Sequence, residues 1–244
     1  MTPFLMMAAV GAHLSSVAAP PAGLNLGASG LAANPLSMMG MLALMALIPF
    51  VILMLTCFSK VLVVLSMVRS AIGTQQAPPA VVLTGLAAVL SAHIMAPVME
   101  HMVRAGQASF SGAVSGERIL SVSAQVARPL RDFLVKHGNA EERARFVDLG
   151  RELRPADEAA QVSEDDWFVV IPAFVLTELK AAFQLGFLVF LPFLVVDMVV
   201  ANVLLALGMQ TLSPTQVSLP FKLLLFVAID GWSLLARGLI LGYR

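Results

Sequence analysis

With 59% hydrophobic residues against 12% charged ones and a mean hydropathy of +0.88 over 244 residues, the sequence lies far from the roughly 25% charged residues of soluble proteins and belongs to the membrane class. Fifteen basic residues balance fifteen acidic ones, so there is no basic footprint for nucleic acid and none is expected as a partner. The single cysteine, Cys57, excludes an internal disulfide and reads as a small buried hydrophobe.

The leader, residues 1–35, has a short apolar core with small residues near Ala18 and Ala19, as signal peptides do. It has no basic n-region beyond the amino terminus itself. A leader with little to pack is the other reading, given its Gly, Ala, Asn and Pro content, and the residues leave both open.

Residues 36–99 form a first hydrophobic helical block. No charge interrupts Leu36 to Phe58, a run long enough to cross a hydrocarbon core of roughly 30 Å, and Pro49 is expected to kink it. The helical pattern continues through Lys60 and Arg69 to Gly73, a left-handed C-cap ahead of Pro78 and Pro79. Lys60 and Arg69 fall on opposite sides of that helix, so at least one marks a junction with water or a partner. Ala80 to Met99 is a second run of spanning length, with His93 and Pro97 near its end.

Residues 100–166 form a polar helical insert that holds nine basic and twelve acidic side chains, 21 of the 30 in the chain. Ser115 can cap a helix with apolar positions Ile119, Val122, Val126, Leu130, Phe133 and Leu134, and Gly138 ends it. Asn139 then caps a second helix with Glu141 and Glu142 in its first turn, where they favour the dipole. The insert reads as a small amphipathic subdomain whose charges form a solvated face.

Residues 167–244 form a second hydrophobic block. Trp167 to Val196 is a third apolar region and Met198 to Leu219 a fourth, separated only by Asp197. Gly208, Pro214 and Pro220 break the chain, and Phe221 to Tyr243 is expected to resume as one helix. On that helix Lys222, Phe226, Asp230, Ser233 and Arg237 fall within about 80° of one another, a polar stripe on an apolar cylinder. Such a stripe should face protein or water, not lipid. The "GLILG" stretch at 238–242 matches a weak small-xxx-small packing pattern. Counting basic residues near the spans does not settle membrane orientation.

Catalysis has little to stand on. There is no phosphate loop, dinucleotide glycine motif or paired-histidine zinc helix, and the histidines at 13, 93, 101 and 137 are not at ligand spacing. No enzyme activity, cofactor or metal is expected. Buried Glu178 and Asp197 could serve a self-contained small-solute or proton-coupled carrier, or belong to ion pairs.

Four long motifs carry a resemblance. "TCFSKVLVVLSMVRSAIGTQQAPP" from Thr56, "IMAPVM" from Ile94, "IPAFVLTELKAAFQLGFLVFLPFLVVDMVVANVLLALGM" from Ile171 and "SLPFKLLLFVAIDGWSLLARGLILGY" from Ser218 resemble the FliP/SctR family of the type III secretion export gate. The match covers nearly everything from about 50 to 243, and the last motif looks more like the injectisome (virulence or symbiosis) branch than its flagellar counterpart. The resemblance implies an all-α protein of membrane-type helical hairpins that winds, in several copies and with SctS-type and SctT-type subunits, into a helical cone around a channel. It implies SctU-type and SctV-type neighbours, unfolded secreted proteins as cargo, contact with membrane lipid, and a place in the basal body at the bacterial inner membrane with a periplasmic portion. Glu178, Lys180, Asp197, Lys222, Asp230 and Arg237 are then expected in a charge network between helices or subunits. The family's methionine-rich constriction maps onto Met209, Gln210 and Thr211. This chain departs from that pattern: only Met209 is a methionine, so the closure is expected to rely more on Met209, Leu212 or partner subunits. Ala80 also stands where the family has asparagine after its paired prolines.

Overall fold

The computed structural model describes residues 35–74, 77–109, 116–209 and 211–244. The expected leader, the Ser115 cap and Gln210 lie outside them. Every regular element among the described residues is a helix, and the chain divides into two units, Met1–Pro49 and Phe50–Arg244. Helix α1, Pro35–Met54, lies mostly in the first unit, and its described side chains are exposed except the half-buried Met54.

The expected kink at Pro49 is not where α1 stops. Pro49 lies inside the helix and the break falls at Leu55–Cys57. There the Thr56 hydroxyl donates to the Leu53 carbonyl at 3.4 Å and accepts from the Phe58 amide at 3.4 Å, replacing helix hydrogen bonds on both sides. Helix α2, Phe58–Ile72, follows and ends at Gly73, whose φ of 86° is the left-handed cap expected from the sequence.

Helix α2 is the centre of the second unit. Its Val61, Val64, Leu65, Val68, Ala71 and Ile72 recur at helical spacing and are all buried. They pack against α3, Ala80–Ser109, and α7, Trp167–Ala206. Helix α3 runs ten residues past Met99, with Pro97 inside it, and presents Leu83, Ala87, Leu90 and Ile94 to the core.

The polar segment forms α4, Gly116–His137, α5, Ala140–Glu152, and the single turn α6, Ala156–Ala159. As expected, α4 stops at Gly138, and the Asn139 side chain accepts from the Glu141 amide at 2.7 Å. Arg143 then donates to the Val135 and Gly138 carbonyls at 2.9 and 3.0 Å, tying off the C-terminal end of α4. Phe133 and Leu134 of α4 join the main core, where Phe174 of α7 is fully buried. Burying each such side chain contributes about 1.5–3 kcal/mol.

Two expectations for the last block are corrected. The third apolar region and the fourth as far as Ala206 are one helix, α7, of 40 residues; the rest of the fourth lies in a loop and in the next helix, which contains Pro220 without a break. Helix α7 passes through Asp197 because that carboxylate is matched by neighbours described below. Phe221–Tyr243 is not one helix: α8, Pro214–Ala228, and α9, Gly231–Leu241, meet at an angle of 59°. Asp230 between them has φ 49°, and a side chain at Gly231 would begin 2.3 Å from the Phe226 ring. The bend therefore requires glycine at 231.

At 1.5 Å per residue α7 is about 60 Å long, twice what a bilayer core needs. Helices α3 and α7 are long and apolar enough to cross a membrane, and up to four spans are possible if each bent pair counts as one.

Candidate functional site

Three sets of charges sit along α7. The first is closed by its acidic residue Glu178, only 2% exposed, whose carboxylate faces the Lys60 ammonium of α2 at 3.6 Å and accepts from the Tyr243 hydroxyl. Lys60 also lies 4.4 Å from the centre of the Tyr243 ring, a cation–π contact in a desolvated setting. That ring stacks on Phe133 at 6.1 Å and meets the edge of His137 at 5.1 Å. Beside this cluster, Cys57 is fully buried as expected and donates to the Ser91 hydroxyl at 3.4 Å. Helices α2, α3, α4, α7 and the segment after α9 thus meet around one ion pair.

The second set lies where the polar segment touches α7. Lys180 donates to Glu142, and Arg145 reaches the same Glu142 at 3.3 Å and Glu141 at 2.7 Å. The Lys180 hydrogen bond is the main reason that the Glu142 carboxyl is held below its usual range. One turn earlier, the Asn139 amide donates to the Thr177 hydroxyl at 3.0 Å. The start of α5 is thereby pinned to the first half of α7.

The third set is lower on α7. Lys222 of α8, 3% exposed, donates to Asp197 at 2.6 Å and to the Ala71 carbonyl at 3.1 Å. Asp197 also accepts from the buried Ser218 hydroxyl at 2.5 Å. Ala71 lies in the last turn of α2, whose unpaired carbonyls carry partial negative charge, so the ammonium is satisfied by a helix end and a carboxylate together. Every buried side-chain nitrogen or oxygen among the described residues has a partner. Removing one member of such a set leaves the other buried and unpaired, at a cost of about 3–5 kcal/mol.

Asp230 and Arg237 behave differently. Both are exposed and neither forms an ion pair among the described residues. The single polar stripe expected on one cylinder is divided by the bend at Asp230: Lys222 and Phe226 point into the core of α8, whereas Asp230, Ser233 and Arg237 point out.

The loop after α7 closes with two backbone bonds, Gly208 N–H to the Leu205 carbonyl and Met209 N–H to the Leu204 carbonyl, both 3.0 Å. With Gly208 at φ 72° this is a Schellman end. Pro214 then opens α8 at its first position. Between those fixed points Met209 and Leu212 are 47% and 45% exposed, and Thr211 is exposed. An apolar groove of about 480 Å³ lies behind the loop between α7 and α8, lined by Val199, Val203, Val217 and Phe221 among others.

Sequence reasoning named Glu178, Lys180, Asp197 and Lys222 but not their partners Glu142, Ser218 and Tyr243. One signal was available: Tyr243 is the only tyrosine of the chain, and a phenol among apolar residues needs a partner for its hydroxyl.

A chain with two overlong apolar helices, charges buried in matched sets and a capped hairpin loop has close relatives. The sequence profile of the FliP family matches residues 41–239. Hypersensitivity response secretion protein HrcR of Ralstonia nicotianae is 45% identical over 85% of this chain and 97% of that protein. Yop proteins translocation protein R of Yersinia pestis is 42% identical over 83% and 93%, and flagellar biosynthetic protein FliP of Caulobacter vibrioides is 39% identical over 91% and 81%. The family profile and these relatives each cover most of the chain, and the chain belongs to the FliP family.

Proposed function

We infer that this chain is a core subunit of a type III secretion export gate, part of the channel that passes unfolded proteins across the bacterial inner membrane. Copies of it would wind into a helical cone with SctS-type and SctT-type subunits, in contact with lipid and with SctU-type and SctV-type proteins of the basal body. The polar segment, residues 100–166, would lie on the periplasmic side. The relatives named for Hrc and Yop secretion, together with the ending "DGWSLLARGLILGY", favour the injectisome branch over the flagellar one.

The observation that carries this reading is the bare apolar surface of the lower half of α7. In the most apolar stretch of that helix only 11% of residues are buried, although the helix is about twice the length of a single crossing. A helix of that length and exposure needs covering by other subunits as well as by lipid. Glu178, Lys180, Asp197 and Lys222 set the angle of the hairpins within each copy, and Asp230 and Arg237 remain for contacts between copies.

The loop at Met209, Gln210, Thr211 and Leu212 is assigned as the channel constriction. Its support is the pair of exposed apolar side chains, Met209 and Leu212, held between a Schellman end and a proline. A thioether seals by adaptable apolar packing, so Met209→Ala should leave assembly intact while increasing leakage of small ions across the membrane. Conductance and secretion of assembled gates carrying that substitution test the site, and unchanged leakage moves the constriction elsewhere. Co-purification tests the function: a detergent-extracted chain that never associates with small hydrophobic secretion subunits sinks the gate reading.

A further inference from the structure

The exposed charges Asp230, just before the first residue of α9, and Arg237, within it, have no ion-pair partner among the described residues, and their arrangement specifies one. Asp230 and Arg237 are seven residues apart, about 10 Å of helix rise, so they do not reach each other. Asp230 stands at the start of α9 with φ 49° and Arg237 lies two turns on, and both are exposed on its outward side. The opposite side, Gly231, Leu235 and Leu239, is buried in the core. Between and beside the charges the outward side carries Ser233, Leu234, Gly238 and Leu241, all exposed. It is an apolar surface with small residues, one negative charge at its start and one positive charge two turns on. A charge on such a surface is expensive against lipid and against an apolar partner alike.

We propose that this side of α9 is an interface between copies of the chain, in which Asp230 of one copy pairs with Arg237 of the next. The argument is self-complementarity. A surface with one charge of each sign, separated along a helix, is satisfied by a second identical surface displaced or reversed along it. A partner of one charge sign leaves half of it unmet. Gly238 and Ser233 allow close backbone approach, and the bend fixed by Gly231 and Phe226 turns this side away from the chain's own core.

The proposal rests on the reading that several copies assemble, and the experiment separates the two. In the full-length chain co-expressed with its secretion system, Asp230→Arg and Arg237→Asp singly should lower the recovered oligomer by about tenfold or more. The double reversal should restore it to within about twofold. A copy carrying Asp230→Cys mixed with one carrying Arg237→Cys should give a disulfide-linked pair that neither gives alone, which stands even if the charge variants fold poorly. Normal oligomer in both single variants, or no cross-link in a normal oligomer, overturns the pairing and leaves the gate assignment intact. Failure of the wild-type chain to self-associate in a secreting system overturns both.

Discussion

The two parts of α7 are both strongly apolar and have opposite fates. From Val169 to Ala182 the helix is enclosed: Val169, Val170, Ala173, Phe174, Glu178 and Ala182 are buried among α2, α4 and α5. From Phe183 to Ala206 it is largely bare, with Phe183, Phe187, Leu188, Val195, Met198, Val199 and Val203 each more than half exposed. The enclosed half behaves like the core of a water-soluble domain built around one buried acid. The bare half uses Asp197 only to hold α8 and offers its apolar residues outward. High hydropathy alone does not tell a stretch enclosed by its own fold from one left bare; what separates them is how many other helices the chain supplies at that level.

The largest expected effect comes from breaking the enclosed half. Glu178→Ala strands Lys60 and the Tyr243 hydroxyl in the core and should destabilise the detergent-solubilised chain by about 3–5 kcal/mol. Phe187→Ala, in the bare half, should change the same unfolding measurement by no more than about 0.5 kcal/mol. Equal losses in the two variants would mean that the halves are equally packed and that the contrast is an artefact of viewing one chain.

The junction between the halves gives a smaller effect. A side chain at Gly186 would begin 2.2 Å from the Met67 sulfur and 3.1 Å from Met67 Cβ, so α2 and α7 touch there almost backbone to side chain. Gly186→Val should destabilise by about 1–3 kcal/mol, and Met67→Ala in the same chain should recover part of that loss. A Gly186→Val chain as stable as wild type, in the same unfolding assay, would place the end of the enclosed half higher on α7.

The smallest effect sharpens the upper boundary. His137 is held below its usual value of 6.5, first by burial and then by the Lys136 and Lys60 charges. The unfolded chain therefore takes up this proton more readily than the folded one. Stability contributed by neutral His137 is fully present above about pH 6.5 and falls as the pH drops below it. Thermal unfolding between pH 7 and pH 5 should show that slope, and His137→Phe should flatten it; an unchanged slope in the variant assigns the acid sensitivity to another group.

Local signals were legible in the sequence: Gly73, Gly138 and Asn139 do at helix ends what their residue types favour. The long-range pairs were not. Lys60 meets Glu178, and Lys222 reaches both Asp197 and Ala71, only because α2 lies between α3 and α7, and no spacing encodes that packing. The misreadings have a common cause. Asp197 reads as a boundary and Phe221–Tyr243 as a continuous helix when each is considered within its own segment. A Lys–Ser pair on the next helix removes the first break, and a single left-handed Asp beside a ring-packed glycine creates the second.

The Tyr243 contact has a consequence for biosynthesis. Glu178 and Tyr243 are 65 residues apart, so at ordinary elongation rates the ribosome makes the acid several seconds, roughly 3–13 s, before the phenol that finishes its coordination. Lys60 is already made when Glu178 emerges, and the phenol comes last. During that interval the nascent chain carries an apolar helix with a half-satisfied acid at the level of its future core. Until Tyr243 is added the acid has only Lys60 to meet it, so the last residues of the chain complete the core around Glu178.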